Sequence, residues 1–472
     1  MNTPIVLSGS YADQMDAVFT AARDVLYKCA GKIVRVKDDE IDEVDATRLQ
    51  SHLIDHLTPI KIKLTKSGDE IETPDKKFER DLCQHMIDRT VIDLPLLEYV
   101  YRCPVFAGDW QPMGEYGYHE DARAWLNTKG LDDVEPMDMA RAKSIIDDLL
   151  CDFPFADVAS KTHAVMAMVT PFIRPMVGLM PLFLITAPTE GSGKTLLADI
   201  VGLISDGRSV IKITSPSDDD EWRKRITSTL KQTPSVVLID NINNLDSPSL
   251  AAALTAKMWT DRVLGSTINI SVPNNAVWFG SGNNPTVSAE MARRCIPIRL
   301  VPDTERPGER KFRHEDIERY VLDNRAQLVS ACMTLVYEWA QGRAEVDVSM
   351  GSYQQWATAA SSIAAHAGYL GALTNREMLR TDDSSELHAL VSSWADHPIL
   401  RNKATAGDLE KMCGEDDIML GVRGGSLHAS QRAKKLSAYL GGHVDRVCGL
   451  WRIKSDTDSH TKQRVFSLEK IA

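Results

Sequence analysis

The chain has 472 residues, a formal net charge of −12, 43% hydrophobic and 25% charged residues, the balance of a globular protein with room for two to four domains. That charge excludes a basic coat for nucleic acid over the whole chain, so any such contact must come from a local patch. Eight cysteines are scattered without a C-x-x-C pair or a Cys/His cluster at metal spacing, which speaks against a disulfide framework or zinc module and for reduced thiols in the cytoplasm.

The start, MNTPIVLSGSYADQMD, lacks a basic stretch followed by an apolar core, so no secretory signal is expected. Residues 1–130 read as a small α+β domain. VLYKC and KIVRV flank Ala30-Gly31 as a hairpin, and PIKIKLTKSGDEIETP reads as another. Residues 131–345 open with a linker and an amphipathic helix that puts Ala142, Ile145, Ile146, Leu149 and Leu150 on one face. The most apolar region, Val165 to Ala187, carries Arg174 and three prolines (Pro171, Pro175 and Pro181). It reads as a buried helix and strand, and no membrane span is expected. Strands and helices then alternate to about residue 340, the pattern of a parallel α/β sheet. Residues 346–384 read as a helical connector and 385–472 as a small helix-then-strand domain.

The stretch APTEGSGKT, Ala187 to Thr195, follows the apolar run PLFLIT and precedes LLADIVGLI. Small residues let backbone N–H groups wrap phosphate oxygens, a Lys neutralises the β and γ phosphates, and a Ser/Thr hydroxyl binds Mg²⁺. Pro188, Thr189, Glu190, Gly191, Ser192, Gly193, Lys194 and Thr195 are the expected ATP-binding loop. Pro188 stands where such loops usually open with Gly, a strand exit at which its fixed φ is tolerable. Leu196, Leu197, Ile200, Val201 and Ile204 then fall at helical spacing. The run PSVVLIDN ends in Asp240, expected at the end of the neighbouring strand to join Thr195 in holding Mg²⁺. Many ATP-driven motors place Glu after that Asp to polarise water. Asn241 stands here, and an amide cannot accept the proton. Either another acid serves, with Glu190 and Glu221 the candidates, or hydrolysis is slow. A third strand, Ala276 to Gly280, leads to Asn283 and Asn284, placed to orient water or sense the γ-phosphate. Arg293 and Arg294 precede the strand CIPIRL and can reach a neighbouring subunit's site.

This order resembles the AAA+ ATPases, and within them the superfamily 3 helicases. The segment LTAKMWTDRVLGSTINISVPNNAVWFGSGNNP carries the most specific likeness, with Trp259, Thr260, Asp261 and Arg262 matching a turn before a β-hairpin and Asn283 with Pro285 matching the sensor. APTEGSGKTLLA, DEWRKR, LDSPSLAAALT, DRVLG, GNN and ARRC resemble the ATPase part of primase-helicases of phages, plasmids and mobile elements, over roughly residues 25 to 345. The resemblance implies a P-loop AAA+ core, ATP and Mg²⁺, a homo-hexameric ring, DNA as substrate and a possible separate primase. Superfamily 3 hairpins usually carry Lys or His at the tip; between Val263 and Val277 there is no cationic residue. Ser266, Thr267, Asn274 and Asn275 are left to grip DNA. No paired-carboxylate primase signature is visible.

Residues 426–472 hold nine Lys/Arg against four Asp/Glu. SLHASQRAKKLSAYLGG reads as a helix stopped by Gly441-Gly442, and GLWRIKS and QRVFSLEK as two strands around DTDSHT. Helix then two-stranded wing is the layout of a winged helix, with Arg432, Lys434 and Lys435 on the helix and Arg452 and Arg464 on the wing facing DNA. Three functions compete: a ring-forming, ATP-driven DNA helicase of a phage or mobile-element replication system; a non-unwinding AAA+ switch or loader, possibly in phage defence; and a DNA-binding replication initiator with a weak ATPase.

Overall fold

A parallel sheet of near-continuous apolar strands forms the centre of the computed structural model, which describes residues 2–64, 70–262, 269–304, 307–379, 382–416, 418, 428–445, 447–458 and 463–471. Its strands are β1 (Leu182–Ala187), β2 (Ile211–Thr214), β3 (Val236–Asp240), β4 (Val277–Asn283) and β5 (Cys295–Arg299). All neighbours pair in parallel, in the order β2-β3-β4-β1-β5. Strands such as LFLITA and VVLID are apolar throughout because helices cover both faces of such a sheet. Those helices include α1 (Val158–Val169), α2 (Lys194–Asp206), α3 (Asp219–Leu230), α4 (Pro248–Leu254), α5 (Arg325–Gly342) and α6 (Gln354–His366).

α2 starts directly after Gly193 and stops at Gly207, which adopts a left-handed φ of 69°. Arg325 donates to the terminal carbonyls of Ile204 at 3.0 Å and Ser205 at 2.8 Å, satisfying groups that a helix end leaves open. α1 is tied to β5 by His163, which is fully buried, with Nδ1 2.7 Å from the Pro297 carbonyl and Nε2 accepting from the Leu373 N–H at 2.8 Å.

The chain divides into two compact units, Met1–Thr286 with Glu290–Glu377, and Met378–Ala472 with Val287–Ala289. Within the first unit most buried apolar residues from Ile5 to Leu94 form one cluster and those from Tyr101 to Leu131 pack into the cluster that contains the sheet, while Tyr27, Cys29 and Val34 join Leu97 in a third, with Tyr118 and Trp125 against it. Both expected N-terminal hairpins are present. Tyr27–Cys29 pairs antiparallel with Lys32–Lys37 across Ala30 and Gly31, both at positive φ, and Leu57–Leu64 pairs with Glu70–Pro74.

The second unit runs helix (Asp382–Ala395), short helix (Pro398–Asn402), short strand (Ala404–Thr405), helix (Ala406–Glu415), helix (Ala429–Gly442), short strand (Val447–Cys448) and the strand pair Trp451–Thr457 and Arg464–Lys470. The 404–405 strand pairs with the last strand, which pairs with the 451–457 strand, all antiparallel. Leu409, Leu436, Leu440, Ile453 and Phe466 fill its core. The 429–442 helix ends at Gly442, at the glycine pair expected to stop it, and an Arg464 guanidinium nitrogen sits 2.7 Å from where a Gly441 side chain would begin. Among the described residues no helix is long and apolar enough to cross a membrane.

Candidate functional site

The turn from β1 into α2 is built by two glycines. Gly191 and Gly193 hold φ of 70° and 89°, a region that side chains disfavour. A Cβ at Gly193 would lie 3.1 Å from the Phe153 ring. The Ser192 hydroxyl and the Lys194 ammonium both donate to the Thr189 carbonyl, at 2.7 and 3.1 Å, which folds the loop around its own backbone. Pro188, Thr189, Glu190 and Gly191 are exposed, while Thr195 is half-buried in the first turn of α2. Burial lowers the Lys194 pKa, and the carboxylates of Asp240 and Glu190 oppose that shift. The loop, the N-terminus of α2 and a cation thus converge on one point, the arrangement that favours an anion.

Asp240 faces Lys194, but not from the strand beside the loop, where sequence order had put it: β4 lies between β1 and β3. The chain crosses to it by a local device. Asn241 takes a φ of 56°, and the Ile242 N–H donates to the Ser281 carbonyl at 2.8 Å. Gly280 and Gly282 make room, since a Cβ on Gly282 would stand 2.3 Å from the Ile242 carbonyl oxygen. The Ser281 hydroxyl then donates to Asp240 Oδ1, which also accepts from the Asn241 N–H at 3.0 Å. Asn241 therefore turns the chain, a left-handed position that Asn tolerates better than Glu. Sequence reasoning missed Ser281; the signal was the G-S-G spacing at the end of the strand.

Asn283 ends β4 as the direct cross-strand partner of Ala187, so it is exposed beside the loop's first residue. Asn284 follows at a φ of 45°. Lys194, Thr195, Asp240 and Asn283 share the C-terminal edge of the sheet. Of the two alternative acids, Glu190 is exposed on the loop, while Glu221 sits in the first turn of α3 and pairs with Lys224 at 3.5 Å and Arg225 at 3.3 Å. Arg293 and Arg294 stand apart. They precede β5, whose Cys295 pairs with Leu182, so they lie at the opposite edge, one strand length or roughly 17 Å from the loop. Arg293 is exposed; Arg294 pairs with Glu290 at 3.2 Å.

The expected β-hairpin is present as Met258–Arg262 paired with Asn269–Pro273. Trp259 to Arg262 are its outgoing strand, not a turn. Their polar residues bolt it to α3: Asp261 accepts from the Thr227 hydroxyl at 2.6 Å and pairs with Arg223 at 3.3 Å, and the Trp259 indole donates to Thr227 at 2.8 Å. Ser266 and Thr267 lie outside the described residues. Asn274 and Asn275 are both hydrogen-bonded within the fold. Asn274 is buried, donating to the Ala253 carbonyl at 2.7 Å and accepting from Trp278 at 3.1 Å, and Asn275 donates to the Glu98 carbonyl at 2.5 Å. Buried Arg174, missed from sequence, donates to the backbone carbonyls of both, at 2.8 and 3.2 Å.

In the second unit Arg432 pairs with the buried Glu410 at 2.6 Å and links two helices. Lys434 and Lys435 are exposed on the outer face of the 429–442 helix. Arg452 pairs with Glu469 at 3.6 Å, and Arg464 lies over the Phe466 ring while donating to the Ser455 hydroxyl at 2.8 Å.

No family model and no curated protein sequence matches the chain. Among solved structures it is similar to the A-form apo structure of the NrS-1 C-terminal region, at 11% identity and a TM-score of 0.43 over 94% of this chain and 96% of that one. A second structure of that region gives 11% identity and 0.42 over the same shares. A structure of JCV helicase gives 11% and 0.24, over 43% of this chain and 55% of that one. Likenesses at this level assign no function.

Proposed function

We propose that the chain is an ATP-driven DNA helicase of the superfamily 3 kind that works as a ring. The observation that carries this reading is the division of charged groups between the two edges of one sheet. The glycine loop, Lys194 and Asp240 converge at the C-terminal edge, and the Arg293–Arg294 pair lies at the N-terminal edge. Two half-sites on opposite edges of one subunit can meet only between subunits. Head-to-tail contact of that kind closes into a ring when its rotation allows.

The residues present fit a magnesium nucleotide. Gly191 and Gly193 keep side chains out of the cradle, Lys194 meets the phosphate charge, and the Thr195 hydroxyl and Asp240 carboxylate offer the oxygens that Mg²⁺ takes. Bound ATP would supply the phosphoryl group whose transfer to water drives movement. Ser281 fixes one oxygen of Asp240, and Asn283 beside Ala187 offers an amide to water or phosphate. Arg293 or Arg294 would serve the neighbouring subunit. The order of the second unit supports a winged helix, with Lys434 and Lys435 as its phosphate contacts.

A non-unwinding ATP switch is the second reading. It is favoured by Asn241, which spends the usual position of the water-polarising acid on a turn, and by the structural duties of Asn274 and Asn275. Strand displacement on forked DNA separates the two. The helicase reading expects ATP-dependent unwinding that Lys194→Ala abolishes. ATP turnover without unwinding would select the switch.

A further inference from the structure

Three arginines meet in a cavity of about 300 Å³ in the first unit, at the sheet edge opposite the glycine loop. Arg293 and Arg294 come from the turn before β5. Arg376 comes from the segment after α6, and its guanidinium donates to the Arg293 carbonyl at 3.2 Å and towards the Ser349 carbonyl at 3.5 Å. Among the described residues that line the cavity none is acidic. Tyr353, at the entry to α6, also lines it. This side chain is 3% exposed, and its hydroxyl has no hydrogen-bond partner among the described residues. The buried Nε of Arg294 is likewise unmet. A buried hydroxyl without a partner, beside three cations, marks a place where ligand oxygens belong.

Burial raises the Tyr353 pKa, and the Arg294 guanidinium opposes the shift, so the group stays a protonated donor at neutral pH. Arg294 pairs with the Glu290 carboxylate, half exposed and 3.2 Å away, which an arriving oxyanion can displace. The chain's own loop lies roughly 17 Å off along β1, out of reach. Head-to-tail contact brings the loop edge of one copy to this edge of the next.

We propose that Arg376 and Tyr353 complete, with Arg293 and Arg294, a pocket for the terminal phosphate of a nucleotide held by the glycine loop of a second copy. This rests on the ATPase reading above. Arg376 adds a guanidinium from a segment more than 80 residues beyond the arginine pair, and Tyr353 adds a neutral donor that cannot be screened by counterions.

The test uses full-length chains carrying Arg376→Gln or Tyr353→Phe, measured for ATP turnover and for binding of a fluorescent ATP analogue. Removing a donor to developing phosphate charge lowers turnover by about 100-fold; the neutral hydroxyl accounts for about tenfold. Both variants lose far less nucleotide affinity than turnover, because the loop holds most of the nucleotide and the pocket acts chiefly on the charge that develops at the terminal phosphate. Mixing Arg376→Gln with Lys194→Ala restores turnover that neither has alone, since some interfaces then pair an intact loop with an intact pocket. Should Arg376→Gln lower the melting temperature, Tyr353→Phe decides the matter.

Wild-type turnover in both variants overturns the proposal, as does a loss that mixing does not repair. Tripolyphosphate binding to the Lys194→Ala chain that depends on Arg376, with turnover of Arg376→Gln unchanged, makes the cavity a site for free polyanions and overturns it too. Weakened DNA binding with normal turnover makes it a nucleic-acid contact, with the same consequence. A wild-type chain that binds no ATP removes the ATPase reading and this one together, an outcome distinct from the other three.

Discussion

Gly193→Ala tests the loop at its tightest point. At a φ of 89° an L-residue costs about 1–2 kcal/mol relative to glycine. The added Cβ would also lie 3.1 Å from the Phe153 ring, which is 8% exposed and packed in the main core. Overpacking of that kind adds about 1 kcal/mol. The loop can escape both by shifting away from its phosphate-binding shape, so the total of about 2–3 kcal/mol appears as weaker binding, by about 30- to 150-fold. Gly191→Ala supplies the contrast. Its φ of 70° carries the first cost, but the nearest atom to its Cβ position is the Gly308 nitrogen at 3.4 Å, ordinary contact, so about tenfold is expected. Fluorescence anisotropy with a labelled ATP analogue reads both. A Gly193→Ala chain that binds as tightly as wild type would refute the claim that this backbone geometry builds the site.

Stability should fall in mild acid through His163. Burial pushes its pKa down to about 4, against about 6.5 unfolded, so the unfolded chain binds the extra proton as pH drops below about 6.5. The contribution is complete above that pH and declines by up to about 1.4 kcal/mol per unit towards pH 4; in urea titrations His163→Gln should lose about one proton's worth of that slope. An identical slope in wild type and variant would contradict it. Replacing Lys434 and Lys435 with Ala should reduce the log-log salt slope of duplex binding by about 0.9 for each phosphate no longer neutralised and leave ATP turnover intact, whereas an unchanged slope would show that this helix face does not touch phosphate.

Legibility in the sequence followed the range of the interaction. The glycine loop, its strand and its helix are local chemistry, and APTEGSGKT with its apolar flanks displays them directly. The β3 and β5 strands were visible as apolar runs because a sheet covered on both faces permits little else. What depended on crossing strands was hidden. Asp240 looked like a residue on the strand next to the loop because sequence order does not show β4 inserted between β3 and β1. Thr260, Asp261 and Arg262 matched a turn by resemblance, yet they lie in a hairpin strand, where Asp261 bonds to α3 and Thr260 to Ser271 of the paired strand. Asn274 and Asn275 looked like exposed amides and hold the base of the hairpin. Arg376 and Tyr353 had no signal at all, being ordinary residues that only tertiary packing brings to Arg293.

The central claim is that the edge of the sheet carrying Lys194 binds and hydrolyses ATP. The most direct measurement is steady-state ATP turnover by the full chain with Mg²⁺, with and without forked DNA, beside Lys194→Ala and equilibrium binding of an ATP analogue to both. The account predicts turnover that forked DNA stimulates, and a Lys194→Ala chain that melts like wild type but neither binds nor hydrolyses nucleotide. Equal nucleotide affinity in the two chains would contradict it.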